Sequence, residues 1–95
     1  MIKVIAKSLI KEECVEAYVT LAKDLAAKTQ ANDAGMVYYT LNQSVENPRL
    51  FAMLECWESQ EALQAHMASA HFTSMVPQMG PMVEQGYPIE LFVEK

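Results

Sequence analysis

Apolar and polar residues follow two different periods along the chain, and each period predicts one kind of element. Alternation every two residues is typical of strands, whereas apolar residues at three- and four-residue steps are typical of helices. We predict strands over residues 2–9, 36–43, 50–58 and 87–94, and helices over residues 11–30 and 59–69. Pro77, Gly80 and Pro81 predict that any helix within residues 71–85 is short or broken.

The predicted order β-α-β-β-α-β indicates an α+β fold of the ferredoxin-like type. In this arrangement a four-stranded antiparallel sheet carries both helices on one face. The length of 95 residues suits a single domain over residues 1–95. A domain of this size has a thin core, so an apolar content of 52% is high and indicates a buried subunit interface.

The third predicted strand is mostly apolar on both of its faces. One face carries Leu50, Ala52, Leu54 and Cys56, and the other carries Phe51, Met53, Glu55 and Trp57. Helices can cover only one of these faces, so we expect a second copy of the sheet to cover the other in a homodimer. The alternative is a central strand that leaves an exposed apolar patch.

The charge and the termini exclude several classes of protein. The net charge of -5 and the scattered Lys and Arg residues predict no nucleic-acid partner, because an acidic surface repels phosphates. No apolar stretch is long enough for a transmembrane helix, and residues 1–7 do not resemble a signal peptide, so a cytoplasmic protein is expected. Cys14 and Cys56 are then expected to be buried, unpaired thiols.

The most specific pattern lies in residues 55–72. It combines an acid two residues before a tryptophan, a capped helix, a histidine nine residues after the tryptophan and a histidine–aromatic pair five residues later. The residues are Glu55, Trp57, Ser59, His66, His71 and Phe72. This pattern resembles the signature of the antibiotic biosynthesis monooxygenase family, and the chain length and element order fit that family over the whole chain.

The resemblance implies a dimeric α/β barrel and a cofactor-independent monooxygenase. The expected substrates are O₂ and a small hydroxylated aromatic compound, such as a quinol or an anthrone-like compound. The family also contains haem-degrading enzymes, which carry a tryptophan where His66 stands, an asparagine in the first strand and a histidine after His71. None of these residues matches here, so haem degradation is disfavoured.

His66 and Glu55 are the candidate catalytic residues. His66 lies on the apolar stripe of its predicted helix and therefore faces the sheet, where Glu55 would be close if its strand face is the covered one. A carboxylate that hydrogen-bonds one imidazole nitrogen makes the other nitrogen a better base. We predict that His66 is the base and Glu55 its orienting partner; the alternative is a purely structural link between helix and sheet.

Aromatic residues around this pair predict an apolar substrate pocket. The candidates are Trp57, Phe72 and Tyr39 as walls, with His71 at the pocket mouth if the helix breaks near Ser69. On one continuous helix His66 and His71 would lie about 140° apart, which argues against a metal site. Ordinary core packing is the alternative interpretation of each aromatic residue.

Two other functions remain open from the sequence. An isomerase of a small sugar or keto compound could use the same acid–base pair, but Lys3, Lys7 and Arg49 form no cluster that would bind a phosphate. A non-catalytic ligand-binding or stress-response dimer is the other possibility, since one fold supports many functions.

Overall fold

The computed structural model describes all 95 residues and contains five strands and three α-helices. The strands are β1 (Ile2–Ile10), β2 (Met36–Gln43), β3 (Leu50–Trp57), β4 (Val83–Gly86) and β5 (Glu90–Val93). The helices are α1 (Val15–Asn32), α2 (Gln60–Met67) and α3 (Ala70–Met79), and short 3-10 turns cover Glu12–Cys14 and Gly80–Met82. No helix has both the length and the apolar character that crossing a membrane requires.

The five strands form one antiparallel sheet, which confirms the ferredoxin-like α+β fold. The order is β2-β3-β1, and the outer side of β1 is shared by β4 and β5. The prediction of four strands with a single last one over residues 87–94 is therefore wrong. Pro88, between the two short strands, has no N–H for a sheet hydrogen bond, and the chain is irregular there.

The helical segment after β3 is also different from the prediction. It divides at Ser69, whose Oγ accepts a hydrogen bond from the N–H of Phe72 at 3.3 Å and begins α3. The ten-residue α3 continues through Pro77, so the expectation of a short or broken helix there is wrong. Pro77 lies near the end of α3, where it removes one hydrogen bond, and burial of Met75 and Met79 outweighs that loss.

The first helix begins later than the sequence indicates. Residues Glu12–Cys14 form a 3-10 turn, and α1 proper begins at Val15 and extends to Asn32. All three helices lie against one face of the sheet and bury the β3 residues on that face, which are Phe51, Met53, Glu55 and Trp57. The structure thereby decides a point that the sequence left open: Glu55 faces the helix layer.

Candidate active site

A cavity of about 320 Å³ lies between the sheet and the helices. It is lined by 18 residues, of which 14 are hydrophobic. Glu55, His66 and Tyr39 are among the few lining residues that carry polar atoms. A concave, mostly apolar site with a few polar groups is the usual form of a small-molecule binding site.

His66 lies at the wall of this cavity and is only 2% exposed. Its Nδ1 is 2.5 Å from Oδ2 of Asp33, while its Nε2 is buried and has no hydrogen-bond partner. A hydrogen bond from Nδ1–H to the carboxylate fixes the tautomer in which Nε2 carries the lone pair. His66 is therefore held as a proton acceptor beside an apolar cavity.

Aromatic rings hold the His66 imidazole in place. The ring centroids of Trp57, Phe72 and Tyr39 lie 4.7, 4.9 and 5.0 Å from that of His66. Burial in this setting lowers the pKa of His66, and the hydrogen bond and charge of Asp33 oppose part of that shift. The imidazole is consequently neutral near pH 7, which is the form a general base needs.

Asp33 owes its position to the turn that ends α1. Its backbone N–H donates to the carbonyl oxygen of Thr29, and its side chain is 7% exposed. Two residues later Gly35 has φ of +79°, and a Cβ there would lie 2.7 Å from the Cβ of Ala62 in α2. The turn can therefore pack closely on α2 only with glycine at this position, which brings Asp33 to His66.

The predicted pairing of Glu55 with His66 is wrong. Oε1 of Glu55 accepts a hydrogen bond from Nε1 of Trp57 at 3.0 Å, and the carboxylate beside His66 is that of Asp33. Residues two apart on a strand point to the same face, so Trp57 is a closer partner for Glu55 than any residue of α2. Asp33 is therefore a site residue that the sequence pattern did not predict.

Glu55 nevertheless contributes an unusual group to the cavity wall. Burial raises its pKa to about 7, and the hydrogen bond from Trp57 lowers it by a smaller amount. Burial also raises the pKa of Tyr39, and the charge of Glu55 adds to that rise. Near neutral pH the carboxyl of Glu55 is thus present in both its neutral and its ionised form, and it can donate or accept a hydrogen bond.

The other predicted site residues divide into two groups. Phe72 and Tyr39 line the cavity, whereas Trp57 is completely buried behind His66 and does not line it. His71 does not line it either; its Nε2 lies 2.8 Å from Oδ1 of Asp33. The break before α3 brings the rings of His66 and His71 to 6.1 Å between centroids, so the argument from a continuous helix is wrong.

Comparison with known proteins gives consistent results. Residues 1–78 match the family described as antibiotic biosynthesis monooxygenase. The chain is 32% identical over 67 residues to the "Putative monooxygenase YcnE" of Bacillus subtilis (strain 168), covering 70% of each chain. A crystal structure of an antibiotic biosynthesis monooxygenase superposes with a TM-score of 0.93 at 30% identity, covering 100% of this chain and 99% of that one. The crystal structure of a conserved protein from Methanosarcina mazei Go1 superposes with a TM-score of 0.92 at 30% identity, covering 99% of this chain and 92% of that one.

Proposed function

Because the chain belongs to the antibiotic biosynthesis monooxygenase family, we propose that it is a cofactor-independent monooxygenase that oxidises a small hydroxylated aromatic compound with O₂. The observation that carries this proposal is the unpartnered Nε2 of His66 at the wall of an apolar cavity, with Asp33 bound to the other ring nitrogen. A flat ring of the quinol or anthrone type suits the size and the apolar walls of this cavity.

The chemistry begins with a proton transfer. Nε2 of His66 accepts the hydroxyl proton of the substrate, and Asp33 stabilises the imidazolium that forms. The substrate anion gives one electron to O₂, and the resulting substrate radical and superoxide combine into a peroxide at a ring carbon. The imidazolium returns its proton to the distal peroxide oxygen, and the ring carbon then loses its hydrogen as a proton while the O–O bond breaks, which gives a carbonyl at that carbon and a hydroxide that combines with the proton to form water. One oxygen atom enters the product, and the substrate supplies all the electrons.

The remaining cavity residues orient the substrate. Glu55, with a pKa near 7, can hydrogen-bond a second oxygen on the aromatic ring. Phe72 and Tyr39 offer ring faces and edges to the substrate, and such aromatic contacts favour an offset or edge-on arrangement. No Lys or Arg lines the cavity, so a phosphorylated substrate has no counter-charge there.

The test is oxygen uptake by chelator-treated protein with a panel of quinols and anthrones. We expect uptake above the spontaneous rate with at least one compound, and a loss of at least about 100-fold in His66→Ala, the usual contribution of a general base. Gln64→Ala, an exposed position on the same helix, is the control and should retain the wild-type rate. Uptake that is unchanged in a folded His66→Ala protein would contradict the role of His66.

A keto–enol isomerase is a second candidate, and one feature of the cavity favours it. His66 can remove a proton while the neutral form of Glu55 donates one, and both residues line the same cavity. Such an enzyme would exchange a substrate proton with solvent deuterium without consuming oxygen. Ligand binding with neither activity would instead support a non-catalytic dimer.

We also propose that residues 1–95 act as one domain in a homodimer that buries the open face of the sheet. On that face Phe92 and Tyr38 are 48% and 40% exposed, and Ile5 pairs in register with Leu54 between them. A contiguous apolar surface of this kind is typical of a subunit interface. We expect a dimer mass in sedimentation velocity, a monomer mass for Leu54→Glu, and a dimer for Gln64→Glu on the exposed surface of α2. A monomeric wild-type protein would contradict this assembly.

A further inference from the structure

Three side chains from separate parts of the helix layer meet beside the cavity. Asp33 follows α1, His66 belongs to α2 and His71 belongs to α3. One ligand atom from each of the three lies within 4.8 Å of the others. Two imidazoles and one carboxylate are a ligand set that divalent first-row transition metals bind, with Zn²⁺ as the common case.

The three side chains are already close enough to share a metal ion, but only one of the two imidazoles is hydrogen-bonded to Asp33. Nδ1 of His66 is hydrogen-bonded to one oxygen of Asp33, whereas Nε2 of His71 lies 2.8 Å from the other oxygen without the alignment of a hydrogen bond. Metal–ligand bonds of 2.0–2.2 Å in a tetrahedral site place the donor atoms about 3.3 Å apart. Each of the two His–Asp pairs therefore has to separate by less than about 1 Å to admit the ion, and the two imidazole nitrogens, within 4.8 Å of one another, have to move by at most about 1.5 Å.

Charge and access also suit a cation at this position. Asp33 makes no ion pair with any Lys or Arg, and the polar side chains that contact its carboxylate are the two imidazoles of His66 and His71. The chain as a whole carries a net charge of -5. The side chain of His71 is 12% exposed, more than those of His66 and Asp33, so an ion can reach the cluster from the His71 side.

We propose that Asp33, His66 and His71 bind a divalent transition metal, and that the bound metal changes His66 from a proton acceptor into a donor. The ion occupies Nδ1 of His66, so the proton of the neutral imidazole moves to Nε2. Nε2 then carries the proton and cannot accept one from a substrate. This second consequence rests on the proposed function, whereas the binding of the metal does not.

Binding is tested without any substrate. Chelator-treated protein is titrated with Co²⁺, whose visible absorption reports tetrahedral coordination, and with Zn²⁺ in a calorimeter. We expect one ion per chain, and binding at least about tenfold weaker in Asp33→Asn and His71→Ala. Asp24→Asn, an exposed carboxylate on α1, is the matched control and should bind like the wild type. Circular dichroism establishes that each variant is folded, and His71→Asn provides a second substitution with a polar side chain.

The results separate the two parts of the proposal. Absence of the Co²⁺ spectrum, or binding that is unchanged in both Asp33→Asn and His71→Ala, would overturn the site whatever the protein oxidises. With a substrate from the oxygen-uptake panel, Zn²⁺ should suppress wild-type turnover and should have a much smaller effect on the turnover that His71→Ala retains. Full turnover with Zn²⁺ bound would overturn the change of His66 into a donor and would leave the binding site established.

Discussion

Replacement of Glu55 by glutamine should change how the stability of this protein depends on pH. Glu55 is 6% exposed, and Oε1 accepts a hydrogen bond from Nε1 of Trp57. The titratable side chains that line the same cavity are Tyr18, Tyr39 and His66, and none of them is a cation that would stabilise the carboxylate near pH 7. Burial is therefore the main cause of the raised pKa of Glu55.

The size of the effect follows from the two pKa values of this carboxyl group. Its pKa is 4.5 in the unfolded chain and about 7 in the folded protein. The folded state binds the proton more tightly, so the free energy of unfolding falls as the pH rises from about 4.5 through 7. At about 1.4 kcal/mol for each pH unit, the full loss is roughly 3 kcal/mol and is complete by about pH 8.

Urea unfolding at a fixed protein concentration from pH 4 to pH 8.5 measures this loss. Trp57 is the only tryptophan, so its fluorescence reports unfolding, and circular dichroism provides a second probe. Glu55→Gln keeps an acceptor for Trp57 but cannot ionise, so it should resemble the wild type at pH 4 and be more stable by up to about 3 kcal/mol at pH 8. Glu46→Gln, an exposed loop carboxylate, is the control. A difference between Glu55→Gln and wild type that stays constant across this pH range would show that burial does not raise the pKa of Glu55.

Two further substitutions test the surroundings of the site. Gly35→Ala should lower the free energy of unfolding, measured in urea, by at least about 2 kcal/mol. The alanine would have to keep the left-handed backbone conformation with φ of +79°, and its Cβ would lie 2.7 Å from the Cβ of Ala62. An unchanged urea midpoint would show that the turn does not need glycine. Trp57→Phe should raise the pKa of Glu55 further, since it removes the hydrogen bond from Trp57 that lowers this pKa. Carbon-13 NMR of the Glu55 carboxyl carbon follows the titration. An unchanged or lower pKa would show that the hydrogen bond from Trp57 does not stabilise the carboxylate.

The sequence was sufficient to predict the burial of His66 but not its partner. An apolar stripe on a short helix indicates which side chains face the sheet, and His66 is on that stripe. The choice of Asp33 over Glu55 depends on where α1 ends and on how closely the turn at Gly35 packs against α2. Those are long-range features, because Asp33 and His66 lie 33 residues apart in the chain, and local periodicity contains no information about such contacts.

The start of α3 and the last two strands were also not predictable from local sequence patterns. Ser69 is a good N-cap residue, but the sequence alone did not decide whether it begins a second helix or lies inside the first. The structure uses it as a cap, and this break moves His71 to the side of Asp33. At the sheet edge, the central strands were predicted to within a residue at their ends, whereas β4 and β5 are each only four residues long and too short for a reliable alternation pattern.

Asp33 holds His66 in the tautomer with an unprotonated Nε2, and nitrogen-15 NMR of the histidine side chains observes that tautomer. At pH 7.5 in chelator-treated protein, we expect a neutral His66 with the proton on Nδ1 and an unprotonated Nε2. In Asp33→Asn this preference should weaken or reverse, because the amide can donate to Nδ1 as well as accept from it. A wild-type His66 that carries its proton on Nε2, or is an imidazolium at that pH, would show that His66 is not held as a base.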